Sequence, residues 1–372
     1  MFERIDRIKD LRGKKVLVRS DFNEVIKKGK LASDFKIKKT FSTISFLREA
    51  EASVILLSHH STKRQSLRVV ADYLGEHFPI TFIGDVYDVE GINAALEGGN
   101  IVLCENLRFW DGEEKNDKEF AKHLASLGDV YVNDAFGVSH REHASVVSLP
   151  REVRSCMGFL LEEEIQNLTP FLTPQKPSLM ILGGAKAKNK LESVPKLLSL
   201  FDEIFIGGVL ANHFFKEKGL SIGASFLDEG VQVASLLNNP HIFLPQDVVV
   251  SSKEGPQKRG VHEILEDECI LDIGDETLAL LKSKIERAQS VLCAGPLGTY
   301  DRQGFEKGTR EVFEMVRKSD AISVAGGGDT ARFIIENNLE EGFTFLSTGG
   351  GAMLAFLAHG TLPALEALKK TS

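Results

Sequence analysis

The segment Gly326-Gly327-Gly328-Asp329-Thr330 follows the apolar run Ala321 to Ala325 and opens a helical pattern. The segment Ser347 to Ala352 repeats this layout after Phe343 to Leu346. Glycines at a strand-to-helix turn let backbone N–H groups approach an anion closely, and the helix N-terminus adds a partial positive charge. Two phosphate-binding turns are therefore predicted, although glycine is also common in turns that bind nothing.

Asp329 places a carboxylate beside these turns. A hard cation such as Mg²⁺ usually binds through one or two carboxylates together with substrate phosphates. The pattern therefore predicts a nucleotide bound with magnesium. The chain contains neither G-x-x-x-x-G-K-[ST] nor G-x-G-x-x-G, so the ordinary P-loop and dinucleotide-binding folds are not indicated.

Short β-branched runs alternate with helical patterns along the whole chain, which is typical of parallel sheets with crossover helices. The predicted fold class is α/β. Strands are predicted at 16–19, 53–58, 80–83, 101–104, 130–132, 179–182, 203–206, 242–244, 290–293, 322–325 and 343–346, and helices in the first half at 37–48, 67–76 and 118–126. The length of 372 residues exceeds what one core normally serves, so two domains are expected. A helical pattern at 160–168, followed by three prolines between Thr169 and Pro177, predicts the junction.

Composition narrows the class of protein. A net charge of −8 argues against a general nucleic-acid binder, which needs a basic surface. The four cysteines are widely spaced and form no CxxC pair, so neither a zinc site nor a disulfide framework is indicated. No secretory h-region and no apolar run of ~18 residues is present, and we expect a cytoplasmic protein without a membrane span.

Residues that directly follow the predicted strands fall into two chemical classes. In open α/β sheets, ligands bind outside the carboxyl ends of the strands. Glycine-rich segments follow the second-half strands and suit a nucleotide: 183–186, 207–208, 295–298 and the two turns above. Polar and cationic residues follow the first-half strands and suit a small anion with hydroxyl groups: Arg19, Asp21, Asn23, His59, His60, Arg108, His140 and Arg141. A metal site at His140 and His143 is a weaker hypothesis, because no third ligand lies near them in sequence.

Eight blocks of this sequence, in order over essentially the whole chain, resemble phosphoglycerate kinase. The blocks are Val18-Arg19-Ser20-Asp21-Phe22-Asn23, Leu56-Leu57-Ser58-His59, Glu105-Asn106-Leu107-Arg108-Phe109, 112–117, Val132-Asn133-Asp134-Ala135-Phe136-Gly137 with His140-Arg141, Gly183-Gly184-Ala185-Lys186, 326–330 and 347–352. So many matched blocks identify the chain as a member of that family. Whether the activity is retained is a separate question.

The resemblance implies two Rossmann-like lobes with parallel sheets, joined by a hinge helix. The N-terminal, triose-acid-binding lobe would span 1–158, the hinge 159–172 and the nucleotide-binding lobe 173–354, with 355–372 packing back on the N-terminal lobe. The implied reaction belongs to glycolysis and moves a phosphoryl group reversibly between 1,3-bisphosphoglycerate with ADP and 3-phosphoglycerate with ATP, using Mg²⁺. Hinge bending would exclude water from the reacting groups. The resemblance also favours a monomer whose partners are small molecules.

The resemblance further implies which residues form the site. Lys186, Lys36, Gly327 and Gly350 would take part in catalysis, with Lys186 as the cation that follows the moving phosphoryl group. Residues expected to bind the acid are Arg19, Asp21, Phe22, Asn23, Lys36, His59, His60, Ser61, Thr62, Arg108, His140 and Arg141. Residues expected to bind the nucleotide are Gly184, Lys186, Lys190, Gly207, Gly208, Gly295, Asp301, Gly327, Gly328, Asp329 and Thr330, with Asp329 holding Mg²⁺.

The acid pocket departs from the family pattern at two positions. Lys36 stands where the family has an arginine, so the charge is kept but the bidentate guanidinium is lost. Thr62 replaces a second arginine, and the loop after it is short. Lys63 or Arg64 could restore the missing positive charge.

The nucleotide lobe departs at three positions. Ala294, in Cys293-Ala294-Gly295-Pro296, replaces an asparagine; Asn189 replaces an aspartate; Asp301 stands where a glutamate usually reaches the ribose hydroxyls. Loss of one transition-state donor typically costs ~10²–10³ in rate. Three hypotheses therefore remain: an active phosphoglycerate kinase with a modified acid pocket, a paralogue that phosphorylates another small carboxylate, and a non-catalytic nucleotide-binding or interaction protein.

Overall fold

The structure, a computed structural model, describes residues 2–369 and divides into two compact units. Unit 1 comprises 1–166 and 361–372, and unit 2 comprises 167–360. Each unit contains a six-stranded parallel sheet with helices between the strands, so the predicted α/β class is confirmed. The end of the predicted segment 355–372, residues 370–372, lies outside the described residues.

The sheet of unit 1 has the strand order β5-β6-β4-β1-β7-β8. The strands of this unit are β1 Lys15–Ser20, β2 Ile26–Lys27, β3 Lys30–Leu31, β4 Ser53–Leu57, β5 Ile80–Ile83, β6 Ile101–Cys104, β7 Val130–Asp134 and β8 Arg154–Met157. Strands β2 and β3 form a separate two-stranded hairpin. The central strands β1 and β7 are buried along almost their whole length, which explains their nearly continuous apolar sequences.

Helices cover the strands of unit 1 and close its core. They are α1 Phe35–Lys39, α2 Phe41–Glu49, α3 Arg68–Gly75, α4 Val89–Glu97, α5 Asp111–Glu114, α6 Lys118–Ser126, α7 Leu149–Glu152 and α8 Phe159–Leu168. Asp117 shows how the sequence starts a helix, since its side chain accepts a hydrogen bond from the N–H of Phe120 at 2.8 Å and so caps α6. Helix α8 begins in unit 1 and ends two residues beyond the boundary between the units at 166/167.

Unit 2 contains a second parallel sheet, in the order β11-β10-β9-β15-β16-β17, and a small antiparallel sheet, in the order β13-β12-β14. Its strands are β9 Ser178–Leu182, β10 Glu203–Ile206, β11 Ile242–Phe243, β12 Asp247–Ser252, β13 Gly255–Gly260, β14 Cys269–Ile273, β15 Ser290–Ala294, β16 Ile322–Gly326 and β17 Phe345–Ser347. Its helices are α9 Ala187–Leu197, α10 Gly208–Glu217, α11 Asp275–Ile285, α12 Lys307–Arg317, α13 Gly328–Glu336 and α14 Gly350–His359.

The chain then returns to unit 1 through α15, Pro363–Leu368. The N–H of Ala364 donates to the carbonyl of Ser139 at 3.1 Å, and Ala364 and Ala367 pack with Val146 and Val147. The C-terminal helix is therefore part of the core of unit 1. The boundary falls at 360/361, so residues 355–359, the end of α14, and Gly360 belong to unit 2.

Two predictions of local structure were wrong in detail. The predicted helix 37–48 is divided into α1 and α2 at Thr40. The strand predicted at 343–346 begins two residues later, at Phe345. The sequence analysis also missed β8, the β2–β3 hairpin and the antiparallel sheet β12–β14.

Candidate active site

The topology of each unit creates a crevice at the carboxyl edge of its parallel sheet. In unit 2, β9 and β15 are neighbours at the centre of the sheet. From β9 the following strands β10 and β11 extend to one side, and from β15 the following strands β16 and β17 extend to the other. Ligands in such sheets bind where the strand order reverses. The segments after β9 and β15 are therefore the natural ligand site of unit 2. In unit 1 the corresponding pair is β1 and β7.

Arg19, at the end of β1, is completely buried, and each of its three guanidinium nitrogens contacts a protein group. Its Nε donates to Ser145 Oγ at 2.7 Å, its Nη1 to the carbonyl of Ser20 at 2.6 Å, and its Nη2 lies 3.2 Å from His59 Nδ1. Glu113, also completely buried, lies 3.7 Å from Nη2 and compensates the charge. The protein's own groups therefore hold Arg19 beneath the site, and its binding of the acid stays a prediction.

Asp21 and Lys36 form an ion pair at the edge of the same sheet. Lys36 Nζ lies 3.2 Å from Asp21 Oδ2 and donates to the carbonyl of Asn23 at 3.4 Å. Burial alone would lower the pKa of Lys36, but Asp21 and Glu24 outweigh it and raise that pKa. Burial raises the pKa of the Glu24 carboxyl to about 7, although nearby Lys36 acts in the opposite direction. Lys36 thus remains charged but is held by the protein's own acidic groups.

His60 supports a loop and leaves no ring nitrogen for a ligand. Its Nδ1 accepts from the N–H of Thr62 at 3.0 Å, so Nε2 must carry the proton and donate to the carbonyl of Glu24 at 3.0 Å. Ser61 and Thr62 are exposed, and the Ser61 N–H donates to Asn23 Oδ1 at 2.8 Å. Protein groups therefore occupy both ring nitrogens of His60 in this structure, and its binding of the acid stays a prediction.

Phe22 was also predicted at the acid site, but its side chain is completely buried in the hydrophobic core of unit 1. Its main-chain N–H donates to Ser58 Oγ at 2.9 Å. The side chain of Phe22 therefore packs in the core, and a contact of this residue with the acid stays a prediction.

Arg108, His140 and Arg141 form the part of this edge that has unused donors. Arg108 is only 5% exposed, yet among the described residues its Nη2 has no hydrogen-bond partner. Burial lowers the pKa of Arg108, and the positive charge of Arg141 lowers it further. Burial also lowers the pKa of His140 to about 4, again with a contribution from Arg141, and its buried Nδ1 has no partner in the described part of the chain. The two arginines repel each other, and Arg108 and His140 each have a buried nitrogen without a described partner. An incoming anion would relieve the repulsion and could bind to these groups.

His59 is close to several of these charges. Burial lowers the pKa of His59, and the charges of Arg19, Arg108 and Lys36 lower it further. The structure therefore brings these four predicted residues to one edge of the sheet, with a neutral imidazole between cations.

The glycine-rich turns of unit 2 lie against one another. A Cβ placed on Gly350 would lie 2.8 Å from the Cα of Gly327, so the two predicted turns touch through bare backbone. Gly295 has φ +107°, and a Cβ there would lie 2.3 Å from the carbonyl oxygen of Gly183. Only glycine allows backbones to approach this closely. Thr330 joins two of these segments, because its Oγ1 accepts from the N–H of Gly295 at 2.9 Å.

The two predicted lysines of unit 2 differ in their surroundings. Lys190 Nζ donates to the carbonyls of Gly183 at 2.6 Å and Ala294 at 3.0 Å. Burial lowers its pKa to about 8, with Asp329 raising it and Lys186 lowering it. Lys186, at the N-terminus of α9, is exposed, and none of the described residues binds its ammonium group. Lys186 is therefore the free cation of the pair.

A cavity of about 520 Å³ opens at the carboxyl edge of this sheet. It brings together the predicted residues Gly184, Gly208, Asp301 and Asp329. Apolar groups, among them Val248 and Ile270, form the rest of its wall, and these come from the antiparallel sheet. A mainly apolar cavity with a few convergent polar groups has the size and chemistry of a site for a nucleotide-sized ligand. Gly207, Gly295, Gly327, Gly328 and Thr330 contribute to the surrounding turns instead of the cavity wall.

Asp329 is the predicted magnesium ligand. It lies in the first turn of α13 with 70% of its side chain exposed, 3.5 Å from Arg332 Nη2. The described residues contain no cluster of three or more His, Cys, Asp or Glu side chains that could enclose a metal. A single exposed carboxylate beside glycine turns fits Mg²⁺ that arrives with the nucleotide phosphates, since Mg²⁺ normally keeps several waters and few protein ligands.

Sequence reasoning missed several residues that the geometry brings into the site. In unit 1 these are Glu113 and Ser145, which hold Arg19. In unit 2 they are Tyr300 and Arg332, which line the cavity. Arg332 could have been found, because it follows Asp329 by three residues on the same helix and therefore shares its face. The side chain of Asn189 lies outside what the structure describes.

Comparison with known proteins identifies the family. The sequence model of the family described as phosphoglycerate kinase matches residues 5–359. The chain belongs to the phosphoglycerate kinase family. It is 37% identical over 379 residues to the phosphoglycerate kinase of Borreliella burgdorferi, covering 96% of each chain, and 39% identical over 380 residues to that of Coprothermobacter proteolyticus, covering 96% of this chain and 97% of the relative. The crystal structure of phosphoglycerate kinase from Pyrococcus horikoshii OT3 matches 99% of this chain and 98% of its own with a TM-score of 0.86 and 32% identity.

A second solved structure agrees with the family assignment. Phosphoglycerate kinase from Coxiella burnetii matches 99% of this chain and 98% of its own with a TM-score of 0.78 and 32% identity. The resemblance stated from the sequence is thereby confirmed. Within the described residues, none of the helices has the length and apolar character needed to cross a bilayer.

Proposed function

We propose that this chain catalyses reversible phosphoryl transfer between ATP and 3-phosphoglycerate, giving ADP and 1,3-bisphosphoglycerate. The observation that supports this most is the contrast between the sites. Unit 1 presents buried cationic donors without partners at Arg108, while unit 2 presents glycine turns, the Asp329 carboxylate and the free Lys186. The first set suits a small phosphorylated acid, and the second suits a nucleotide.

In the direction of acid phosphorylation, a carboxylate oxygen of 3-phosphoglycerate attacks the γ-phosphorus of ATP. The new bond joins that oxygen to phosphorus, the bond from phosphorus to the β,γ-bridging oxygen breaks, and ADP leaves with the electron pair. No protein nucleophile is needed, so positioning and charge neutralisation supply the rate. Lys186 is our choice for the cation that follows the moving phosphoryl group, because its ammonium is unengaged.

Asp329 would hold Mg²⁺ that is bound with the nucleotide, and the ion would supply positive charge to neutralise the phosphates. The Lys190 ammonium, fixed by two carbonyls, adds positive charge to the glycine turns. Arg108, His140 and Arg141 would hold the acid, with Asp21 and Asn23 as acceptors for its hydroxyl group. Because the acyl phosphate must be protected from water, we also propose that the segment 159–172 acts as a hinge.

The decisive test is a coupled assay with MgATP and 3-phosphoglycerate, comparing the wild type with Lys186→Ala. We expect a loss of at least ~10² in kcat for the variant, since it lacks the transition-state cation. Lys188→Ala is the matched control, because Lys188 is exposed and lies two residues after Lys186, in the first turn of α9. A wild-type rate no higher than that of Lys186→Ala would refute the proposal.

A second candidate is a kinase for a different small carboxylate. It is favoured by the pairing of Lys36 with Asp21 and by the engagement of Lys63 with Asp111 at 2.6 Å, which leaves Arg64 as the remaining cation of the shortened loop. A panel of carboxylic acids assayed for ATP turnover decides between the two. An acid preferred over 3-phosphoglycerate supports the second candidate, and a panel without one excludes it.

We further propose that the protein acts as a cytoplasmic monomer whose partners are small molecules, not nucleic acids or membranes. The net charge of −8 supports the exclusion of nucleic acid. Sedimentation analysis tests the monomer directly, and a dimer at working concentrations would contradict it.

A further inference from the structure

Arg332 lines the unit 2 cavity together with Asp329, Tyr300 and Asp301. We propose that Arg332 binds the nucleotide directly, by donating charge-assisted hydrogen bonds to its α-phosphate, the phosphate attached to the ribose. This inference rests on the proposed function, because it assumes that the cavity takes the nucleotide. It adds a cationic side chain to a site that otherwise binds phosphate through main-chain groups and lysines.

The guanidinium of Arg332 is held in place before any ligand arrives. Its Nε donates to Tyr300 Oη at 3.2 Å, and its Nη2 donates to the same oxygen. Nη2 also lies 3.5 Å from Asp329 Oδ1. Only 17% of the side chain is exposed, so the group is fixed on the cavity wall instead of moving freely in solvent.

This arrangement leaves hydrogen-bond donors available to an anion. A guanidinium has five N–H donors, and the contacts with Tyr300 and Asp329 involve only Nε and Nη2. None of the described residues bonds to Nη1. Tyr300 Oη accepts from Arg332 and keeps its own proton for donation. A planar donor group beside a hydroxyl matches the oxygens of a phosphate.

The position of Arg332 between two predicted ligands selects the α-phosphate. The family resemblance predicts that Asp301 contacts the ribose. Asp329 is proposed to hold Mg²⁺ beside the outer phosphates. Arg332 contacts Tyr300, the neighbour of Asp301 in sequence, and also contacts Asp329. The phosphate that lies between a ribose and the outer phosphates is the α-phosphate.

The ion pair with Asp329 does not by itself account for an arginine at this position. The pair is long, at 3.5 Å, and Asp329 is 70% exposed, so the pair adds little to stability. Lys190, another partly buried cation of unit 2, already donates to two carbonyls. An additional cation on the cavity wall is therefore useful for a ligand that carries several negative charges.

The test measures binding of adenosine, AMP and ADP without Mg²⁺ by isothermal titration calorimetry. Arg332→Met removes the charge at similar length, and Arg332→Lys keeps the charge but not the fork. Arg310→Met is the matched control: Arg310 is exposed on α12 of the same unit and does not line the cavity. We expect Arg332→Met to weaken AMP and ADP about tenfold while adenosine stays within twofold, because only the phosphate contact is lost. Arg332→Lys should lie between the wild type and Arg332→Met, and Arg310→Met should match the wild type.

Each other outcome overturns the inference in a distinguishable way. If Arg332→Met binds both ADP and AMP as tightly as the wild type does, the role of Arg332 is refuted and the proposed function stays intact. Equal weakening of adenosine and AMP would show that Arg332 only supports the wall. Absence of wild-type binding to any adenine compound would remove the proposed function and this inference together. If Arg332→Met does not fold, the AMP-to-adenosine ratio of Arg332→Lys and Tyr300→Phe decides, and an unchanged ratio in both refutes the inference.

Discussion

Replacing Glu113 by glutamine should destabilise unit 1 by about 3–5 kcal/mol. Glu113 and Arg19 are both completely buried, and their closest charged atoms are 3.7 Å apart. At an effective dielectric of about 20, two unit charges at that distance attract by about 4.5 kcal/mol. Removing one charge leaves the other buried without compensation, which typically costs about 3–5 kcal/mol. Glutamine keeps the shape and one acceptor for the N–H of Ser145, so packing and hydrogen bonding change less than charge.

The measurement uses urea unfolding followed by tryptophan fluorescence. The chain has one tryptophan, Trp110, which lies in unit 1 directly before α5, the helix that carries Glu113. Its signal therefore reports unfolding of unit 1 even if the two units unfold separately. Glu114→Gln is the matched control, since Glu114 is the next residue, 42% exposed and 3.4 Å from Arg108 Nε. Because Glu114 itself is half exposed and solvent screens its charge, we expect the control to lose at most about 1 kcal/mol.

The double variant Glu113→Gln/Arg19→Met separates the lost ion pair from other effects. With the arginine charge also removed, the uncompensated buried charge disappears, so the double variant should be less destabilised than the sum of the single variants. A loss below 1 kcal/mol for Glu113→Gln, or strict additivity in the double variant, would refute the account of Arg19 as a buried group held by Glu113.

Three further predictions concern groups at the two sites. Lys36→Arg restores the bidentate guanidinium of the family pattern and should raise kcat more than it lowers KM. An unchanged kcat would show that the absence of this guanidinium does not limit the rate. Affinity for ADP should fall as pH rises through about 8, because Lys190 loses its proton and its positive charge there. In Lys190→Met, titration calorimetry should show an ADP affinity that does not change with pH in this range. The same decrease in that variant would assign the effect to another group. Thr330→Val should lower the free energy of unfolding of unit 2 by about 1–3 kcal/mol, since the Gly295 N–H loses its acceptor, and thermal unfolding unchanged from the wild type would contradict this.

Most of the parallel strands could be predicted because their sequences are buried on both faces. The strand β15, for example, is buried along its whole length and has an uninterrupted apolar sequence from Val291 to Ala294. The antiparallel sheet could not be predicted in the same way. Only two of the six residues of β12 are fully buried, and β13 has none. Such strands are fixed by pairing with partners along the chain, and a weak apolar pattern does not show that pairing.

The edge at which the site lies was predictable, but the tasks of its residues were not. Parallel strands place their carboxyl ends together, so Arg19, His59 and Arg108 had to converge. What each side chain does depends on distant partners. Ser145, which holds Arg19, is 126 positions away in the sequence, and the carbonyl that holds His60 is 36 positions away. From the sequence alone, a hydrogen-bonding residue at a strand end is therefore predicted to bind a ligand, because its buried partners within the fold are not yet known.

Arg19 and Arg108, both buried in unit 1, show why this distinction matters for binding. Arg19 has acceptors and a compensating carboxylate, so a ligand would gain little by contacting it. Arg108 is nearly as buried, but its Nη2 lacks a described acceptor, and its best carboxylate, Glu114, is half exposed. A buried donor without a partner costs free energy in the empty protein, and a ligand that satisfies it recovers that cost as affinity. The acid should therefore bind through Arg108 and its neighbours, with Arg19 fixing His59 beneath them.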